Sequence, residues 1–423
     1  MGHARLAFCV ALVSFLFLNV PVRAETNLIT YVGGAGDLYI IQPDGNGRRK
    51  IAAGEILQSI AFSPQLAKGD VNFYSWPIWS PDGSQLACFY TSTGEDGRTD
   101  SLYIFDVATS RVLYSYQAPG LQPIYAYWSP NNRQLAVLLG GSGLLSLELW
   151  PAYEGKRPKS LAQGAPFYFD WRADAQALLV HTGGDRESES GHSVSLLDID
   201  KGKRTLVSRA PSAFGPPSWS RNGKWLAYGN QGKEQDKTDL MIATADGTSA
   251  KSFGAFSTRI TMEWSPTQSQ LAVASSPFEA APLLDNLQLV DVSSGKTRML
   301  VQDNLTAYFW SPDGKRILYA KKQADSFLWT WVIIEVASGK TYDVVDFLPS
   351  RPLTMVFQYF DQYALSHRLW SPDSQHFTFS GSAGQDAHPA KAIREPAVYV
   401  VDAKPNASPR MLSEGAIAFW SPR

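Results

Sequence analysis

Trp310-Ser311-Pro312-Asp313-Gly314 is a five-residue phrase that returns as Trp79-Ser80-Pro81-Asp82-Gly83 and in weaker copies elsewhere in the chain. The copies begin at eight tryptophans: Trp79, Trp128, Trp171, Trp219, Trp264, Trp310, Trp370 and Trp420. Neighbouring copies are 43 to 60 residues apart. A period of this size with a recurrent tryptophan is typical of β-propeller blades of four strands each.

The phrase itself predicts a tight turn. Serine suits the first position of a type I turn, proline the second and glycine the fourth. We expect each tryptophan to end a strand, called A here, and strands B, C and D to follow. Strand B is visible in the runs 85–90, 134–139, 225–229, 270–275 and 316–321, which are apolar and bounded by turn residues. Because weak copies lose the proline, the acid or the glycine, we interpret the phrase as structural and the tryptophans as wedges between blades.

These repeats resemble the WD40-like repeats of TolB-type propellers. The same repeat occurs in the N-terminal propellers of prolyl-oligopeptidase-like enzymes and in oligogalacturonate lyases. The resemblance covers nearly all of the chain after its first residues, but the chain shows no counterpart of the N-terminal α/β domain of TolB proteins and no Gly-x-Ser-x-Gly elbow of a hydrolase. It implies a fold more than an activity, since one such fold carries many functions.

The two ends of the chain complement each other. Residues 28–32, 37–43 and 48–55 match strands B, C and D without a preceding A strand, and residues 415–420 supply an A strand with nothing after it. Pairing the two ends would remove an exposed sheet edge. The sequence therefore predicts an all-β chain that forms an eight-bladed β-propeller of four-stranded antiparallel blades, with one blade closed by the N- and C-terminal strands.

Residues 1–24 have the positive start, apolar run and small residues of a secretory signal peptide, and residues 25–423 are expected to form a single propeller domain. Export implies a periplasmic or extracellular location. Loss of Arg5 and Arg23 with the signal changes the formal net charge from −1 to about −3, which gives no reason to expect nucleic acid as a partner.

Cys88 is then the one remaining cysteine. It lies in an apolar strand, and we expect a buried thiol without a disulfide. We expect a monomer without a membrane span after cleavage.

Candidate binding residues come from the face that carries the long loops between strands B and C and between strands D and A, because binding residues usually lie on loops held by a rigid scaffold. These predicted loops include residues 381–396 and the insertion 346–368. The segments before each tryptophan are rich in aromatic residues, and some of these should ring the mouth of a central channel. Residues at the same level provide polar anchors. The predicted site for a protein segment or a glycan is Trp76, Tyr125, Tyr168, Arg259, Tyr359, His367 and Arg368.

The favoured function is an exported binding or scaffolding module, with enzymatic activity left open. No catalytic residue, metal ligand or cofactor is assigned. One alternative is a metal-dependent polysaccharide lyase or hydrolase, which would need several of the loop-face histidines to converge: His181, His192, His367 and His388. A second alternative is a detached gating propeller that works with a separate prolyl-oligopeptidase-like peptidase.

Overall fold

The structure is a computed structural model that describes residues 27–54, 71–94, 97–117, 120–141, 143–153, 157–183, 192–212, 215–234, 236–277 and 283–423. The predicted signal peptide lies outside the described residues. Within them the strands form antiparallel sheets in which each strand pairs with its neighbours in sequence, apart from the strands at the two ends of the chain.

Five consecutive sheets have four strands each and follow the predicted order A to D. The first two contain β4 Asn72–Trp79, β5 Gln85–Gly94, β6 Gly97–Asp106 and β7 Val112–Gln117, then β8 Gln122–Trp128, β9 Gln134–Gly140, β10 Leu145–Pro151 and β11 Lys159–Gly164. The third contains β12 Phe167–Trp171, β13 Ala177–Thr182, β14 Ser193–Asp198 and β15 Arg204–Ser208. The fourth and fifth contain β16 Ser218–Trp219, β17 Trp225–Gln231, β18 Lys237–Thr244 and β19 Lys251–Ser257, then β20 Arg259–Trp264, β21 Gln270–Ser276, β22 Asn286–Asp291 and β23 Thr297–Val301.

The chain ends share a sheet. It contains β1 Ile29–Val32, β2 Leu38–Ile41 and β3 Arg49–Ala52 together with the last strand, β31 Ile417–Trp420. Strand β31 runs antiparallel to β1, with Ile29 opposite Trp420 and Val32 opposite Ile417. The predicted pairing of the two termini is therefore present in the structure.

The five-residue phrase makes the predicted turn. The Ser311 hydroxyl donates to Asp313 Oδ1 at 2.6 Å and accepts the Arg316 backbone N–H at 3.0 Å. The Gly314 N–H donates to the Ser311 carbonyl oxygen at 2.8 Å. Gly314 has a φ of 69°, in the left-handed region that favours glycine. The serine and the acid thus hold the turn from inside, which is why both recur in the better copies.

Six of the eight tryptophans that begin the copies link their own repeat to the one before it. Of the other two, Trp219 has a buried indole N–H without a partner among the described residues, and Trp420 donates to Asn27 Oδ1 at 2.7 Å. The indole N–H of Trp128 donates to the carbonyl oxygen of Ile78, the residue that precedes Trp79, at 3.1 Å. The same bond to the previous repeat is made by Trp79, Trp171, Trp264, Trp310 and Trp370, at 3.0 to 3.2 Å. For Trp79 the acceptor is Phe419, so the first repeat bonds to the last. Buried tryptophans usually find a partner for this N–H, and here the partner sets the spacing between sheets.

The sheets confirm the predicted all-β class, but two segments that were predicted to be loops contain helices. Between Trp310 and Trp370, where the sequence predicted a long loop, the structure has two helices, α1 Arg351–Gln358 and α2 Phe360–Ser366. A third, α3 Pro389–Arg394, lies in the predicted loop 381–396. Apolar residues at helical spacing, Leu353, Val356, Phe357 and Phe360, are buried, and Ser350 caps α1 by accepting the Leu353 N–H at 3.2 Å. None of the helices in the described residues is long and apolar enough to cross a membrane.

The helices interrupt an inner strand. The last sheet has seven strands: β24 Leu305–Trp310, β25 Arg316–Lys322, β26 Trp329–Glu335, β27 Thr341–Pro349, β28 His376–Ala383, β29 Ala397–Asp402 and β30 Arg410–Glu414. The end of β28, residues 381–383, pairs with residues 347–349 at the end of β27, just before the helices. Near the start of β28, Phe377 pairs with Trp370, which follows the helices. A Cβ at Gly381 would lie 1.9 Å from the Leu348 carbonyl oxygen, so only glycine permits this pairing.

Candidate functional site

Helix α2 lies in the centre of the molecule. It contacts β8, β12, β20 and β24, each of which is the first strand of its sheet or group of strands. Gln362 fixes it there: its side-chain amide donates to the Phe169 carbonyl oxygen at 2.9 Å and accepts the Phe169 N–H at 3.2 Å. Phe360 is fully buried, with its ring 4.7 Å from that of Tyr308. The helix therefore fills the middle of the central channel and leaves one cavity at each end of it.

The cavity on the face of the long loops, called the loop-side cavity, has a volume of about 610 Å³. It lies where the inner strands begin, beside Tyr168 of β12 and Arg259 of β20. Four aromatic rings line it: Tyr168, Trp329, Phe357 and Tyr359. Three of the seven predicted site residues, Tyr168, Arg259 and Tyr359, thus meet in one cavity.

Charged groups lie among these rings. The Lys322 ammonium sits 5.6 Å from the centre of the Trp329 ring, which in turn stacks on Phe357 at 5.1 Å. Asp361 is buried at the cavity wall, and burial raises its pKa to about 6, partly offset by the nearby Arg259 guanidinium. An aromatic surface with cations and one acid suits a ligand that combines an apolar group with a polar one.

Two other predicted residues face the helix instead. Tyr125 is only 4% exposed, and its hydroxyl lies 2.8 Å from both the Gln362 carbonyl oxygen and Ser366 Oγ. Trp76 has a left-handed φ of 51° at a bulge in β4, which turns its ring onto Tyr363 at 5.0 Å. In this arrangement both rings support α2 from the channel wall.

The remaining two lie at the opposite end. His367 and Arg368 line a second cavity of about 240 Å³, called the turn-side cavity, together with Arg221, Glu263 and the ends of β20 and β24. His367 is 3% exposed, and its Nδ1 lies 2.7 Å from Ser366 Oγ. Burial lowers its pKa to about 3, so the ring is neutral. Strand β20 places Arg259 and Trp264 about 17 Å apart, so the two groups of predicted residues cannot share one small ligand.

The histidines do not converge. His181 is buried and its Nδ1 lies 3.0 Å from the Gly215 carbonyl oxygen, His192 is exposed, and His388 caps α3. Of these four histidines, all within the described residues, only His367 lines either of the two channel cavities. Within the described part of the chain, no group of three or more His, Cys, Asp or Glu could hold a metal ion. Cys88 is fully buried as predicted, and burial raises its thiol pKa.

The seven predicted site residues do not include Trp329, Phe357 or Lys322, although Phe357 belongs to the aromatic segments before the tryptophans. Phe357 belongs to a helix that was interpreted as a loop, although its apolar spacing and the Ser350 cap were visible signals. Trp329 begins β26 and lies outside the repeated phrase. No local sequence pattern predicts that it lines the loop-side cavity. Phe327, at the tip of the hairpin between β25 and β26, is 78% exposed and adjoins the cavity through Lys322 and Leu283.

Solved structures with low sequence identity share this architecture. The β-propeller domain of the Trilobed protease from Pyrococcus furiosus has a TM-score of 0.50 at 10% identity, over 82% of this chain and 97% of that one. The chain has the β-propeller fold. Oligogalacturonate lyase from Vibrio parahaemolyticus has a TM-score of 0.50 at 13% identity over 82% and 87% of the two chains. TolB from Acinetobacter baumannii is similar at a TM-score of 0.40 and 13% identity over 83% and 82%. No protein-family model matches the sequence, and no curated protein matches it either.

The two structures at a TM-score of 0.50 show the β-propeller fold that the repeats predicted. Because their identities are 13 and 10%, they leave the activity open.

Proposed function

We propose that this β-propeller is an exported, single-domain binding module that takes a segment of a partner protein into its loop-side cavity. The observation that carries the proposal is the set of four aromatic rings around one 610 Å³ cavity on the loop face. Aromatic side chains dominate the binding energy of protein interfaces. The propeller would have eight blades, since eight tryptophans start the repeats and the Trp79 indole N–H donates to the carbonyl oxygen of Phe419, in the last repeat.

A protein segment is favoured over a glycan because of the apolar surface beside the cavity. Phe327 is 78% exposed, and a shallower cavity of about 430 Å³ runs from it to Lys322 and Leu283, which also line the loop-side cavity. Leu283 and Tyr359 at the loop-side cavity are also exposed, at 36% and 41%, and neighbouring exposed apolar side chains are typical of an interaction surface. Among the described lining residues, the cations Arg259 and Lys322 outnumber the one acid, Asp361, which favours a segment that carries a carboxylate along with its apolar side chain.

The test places a photoreactive amino acid at position 327 in the exported protein, in its native envelope, and identifies crosslinked proteins by mass spectrometry. The matched control carries it at position 153, because Tyr153 is 44% exposed and lies after β10, toward the turn face. We expect a defined crosslinked protein from position 327 only. The second arm changes Trp329 and Tyr359 to alanine and should reduce that crosslink at least tenfold.

Three outcomes would contradict the proposal: equal crosslinking from positions 327 and 153, a crosslink that survives both alanine changes in a folded protein, or binding to glycans with no protein crosslink. Thermal melting checks folding, since truncating the 41% exposed Tyr359 should change stability by no more than about 0.5 kcal/mol.

A further inference from the structure

The turn-side cavity contains two buried polar atoms that have no partner. Glu263 is 8% exposed and His367 is 3% exposed, and both line the cavity. Neither Glu263 Oε2 nor His367 Nε2 makes a hydrogen bond. Buried polar atoms are normally paired, because an unpaired one costs about 1 to 3 kcal/mol. Two such atoms at one cavity indicate a position where a ligand supplies the missing partner.

Two arginines occupy the same cavity. Arg221 and Arg368 line it, and both residues are partly exposed to solvent. The walls around them are apolar, with Trp264, Trp310 and Pro312 among the lining residues. Guanidinium groups bind carboxylates and phosphates in a fixed bidentate geometry, and apolar walls strengthen that attraction.

The charge balance at this end of the channel favours an anion. Besides the two arginines, the titratable groups close to it are Tyr127, Asp170, Glu263 and His367. Burial raises the pKa of Glu263 to about 8, so its carboxyl is mostly neutral at pH 7. Asp170, with a pKa raised by burial to about 6, is mostly ionised, and His367 is neutral. Two cations therefore face one anion, and the neutral Glu263 can donate a hydrogen bond.

We propose that the turn-side cavity is a second binding site, which takes the oxyanion group of a small ligand, a carboxylate or a phosphate, between Arg221 and Arg368. The Glu263 carboxyl and His367 Nε2 complete the contacts to it. The volume of 240 Å³ corresponds to roughly eight waters, enough for a small organic acid or a phosphate ester. The site is separate from the loop-side cavity, because helix α2 fills the channel between them.

The experiment titrates the folded chain with inorganic phosphate and, separately, with acetate, by calorimetry and by NMR of the His367 ring. We expect saturable binding of at least one probe, with a shift of the His367 Nε2 resonance. Binding of phosphate alone would assign a phosphoryl ligand, and binding of acetate would assign a carboxylate. Arg221→Gln and Arg368→Gln should each weaken binding at least tenfold.

The matched control is Arg172→Gln, because Arg172 is a partly exposed arginine beside the turn that follows Trp171 and already pairs with Asp174 at 2.8 Å. It should leave binding unchanged, and Glu263→Gln, which keeps a donor, should retain most of it. The proposal would be overturned if the folded chain bound neither phosphate nor acetate, or if the Arg172 and Arg368 variants lost affinity equally. Tyr359→Ala should not affect this titration, so failure of the loop-side proposal would be seen separately.

Discussion

The two ends of the central channel are built from the same inner strands and the same helix but have different chemistry. The loop-side cavity collects aromatic rings from segments that differ from repeat to repeat: Tyr168, Trp329 and Tyr359. The turn-side cavity is bordered by the repeated phrase itself, with Trp264, Trp310 and Pro312 in its wall. Its charged groups include Arg221, which replaces the proline of the phrase in the copy at Trp219, and Glu263, which precedes Trp264. The repeat thus supplies the frame at one end, and the exceptions to the repeat supply the chemistry at both.

Helix α2 separates the two cavities. Changes that remove the contacts supporting this helix therefore test whether the two ends of the channel are distinct. The helix rests on strands from several sheets, and those sheets are held in place by the joining of the chain ends.

The largest effect is expected from deleting residues 416–423. The deletion removes β31, the antiparallel partner of β1, and the Phe419 carbonyl oxygen that accepts the Trp79 indole N–H. It also removes the Phe419 ring, which packs against His367 at 4.4 Å. We expect the thermal midpoint to fall by roughly 10 °C or more, since a buried strand and a sheet edge are lost together. A melting curve that matches the full chain would contradict closure by the terminal strands.

The next effect is expected at Phe360, the buried anchor of α2. Phe360→Ala should cost about 3 to 5 kcal/mol of unfolding free energy, because the ring is fully buried against Tyr308. Phe327→Ala is the matched control, since the same deletion at a 78% exposed position should change stability by no more than about 0.5 kcal/mol. Urea titration measures both. Similar losses in the two variants would mean that α2 is not anchored in the channel.

The strands of the repeats could be predicted from the sequence, but helix α2 was not predicted. Strands B to D could be predicted because turn chemistry and apolar runs are local signals, and the runs 28–32 and 415–420 pair with each other as predicted. The helices were missed because a long segment in a chain of repeats was interpreted as a loop, against the apolar spacing from Leu353 to Phe360. Tyr125 and Tyr168 occupy equivalent places before their tryptophans, yet one packs on α2 and the other lines a cavity. That difference depends on where helix α2 packs in the channel, and no local sequence pattern predicts this position.

Two buried acids, one at each cavity, predict a pH effect that differs between the ends. Burial raises the pKa of Glu263 from 4.5 to about 8 and that of Asp361 from 3.8 to about 6. Between each pair of values the folded chain binds more protons than the unfolded one, so stability falls as pH rises, by at most about 1.4 kcal/mol per pH unit.

Glu263→Gln should therefore flatten the loss of stability between about pH 4.5 and 8, and Asp361→Asn should flatten it only between about pH 4 and 6. Differences from the unchanged chain are needed, because neutral His367, with a pKa lowered to about 3, makes stability fall in the opposite direction as pH drops below 6.5. Thermal midpoints measured from pH 5 to 8 give the comparison. If both variants flattened the pH dependence over the same pH range, the predicted difference in pKa between Glu263 and Asp361 would be wrong.

The smallest effect is expected at Tyr125, and it decides on which side of the comparison that residue belongs. Its hydroxyl lies 2.8 Å from the Gln362 carbonyl oxygen and from Ser366 Oγ, so Tyr125→Phe should cost about 1 kcal/mol, the usual value of one intramolecular hydrogen bond. Because the ring stays in place, crosslinking from position 327 should be unchanged. If binding is lost while stability is kept, Tyr125 contacts the partner, as the sequence predicted. If stability falls while binding is kept, it is a wall residue that holds α2 and so separates the aromatic end of the channel from the charged one.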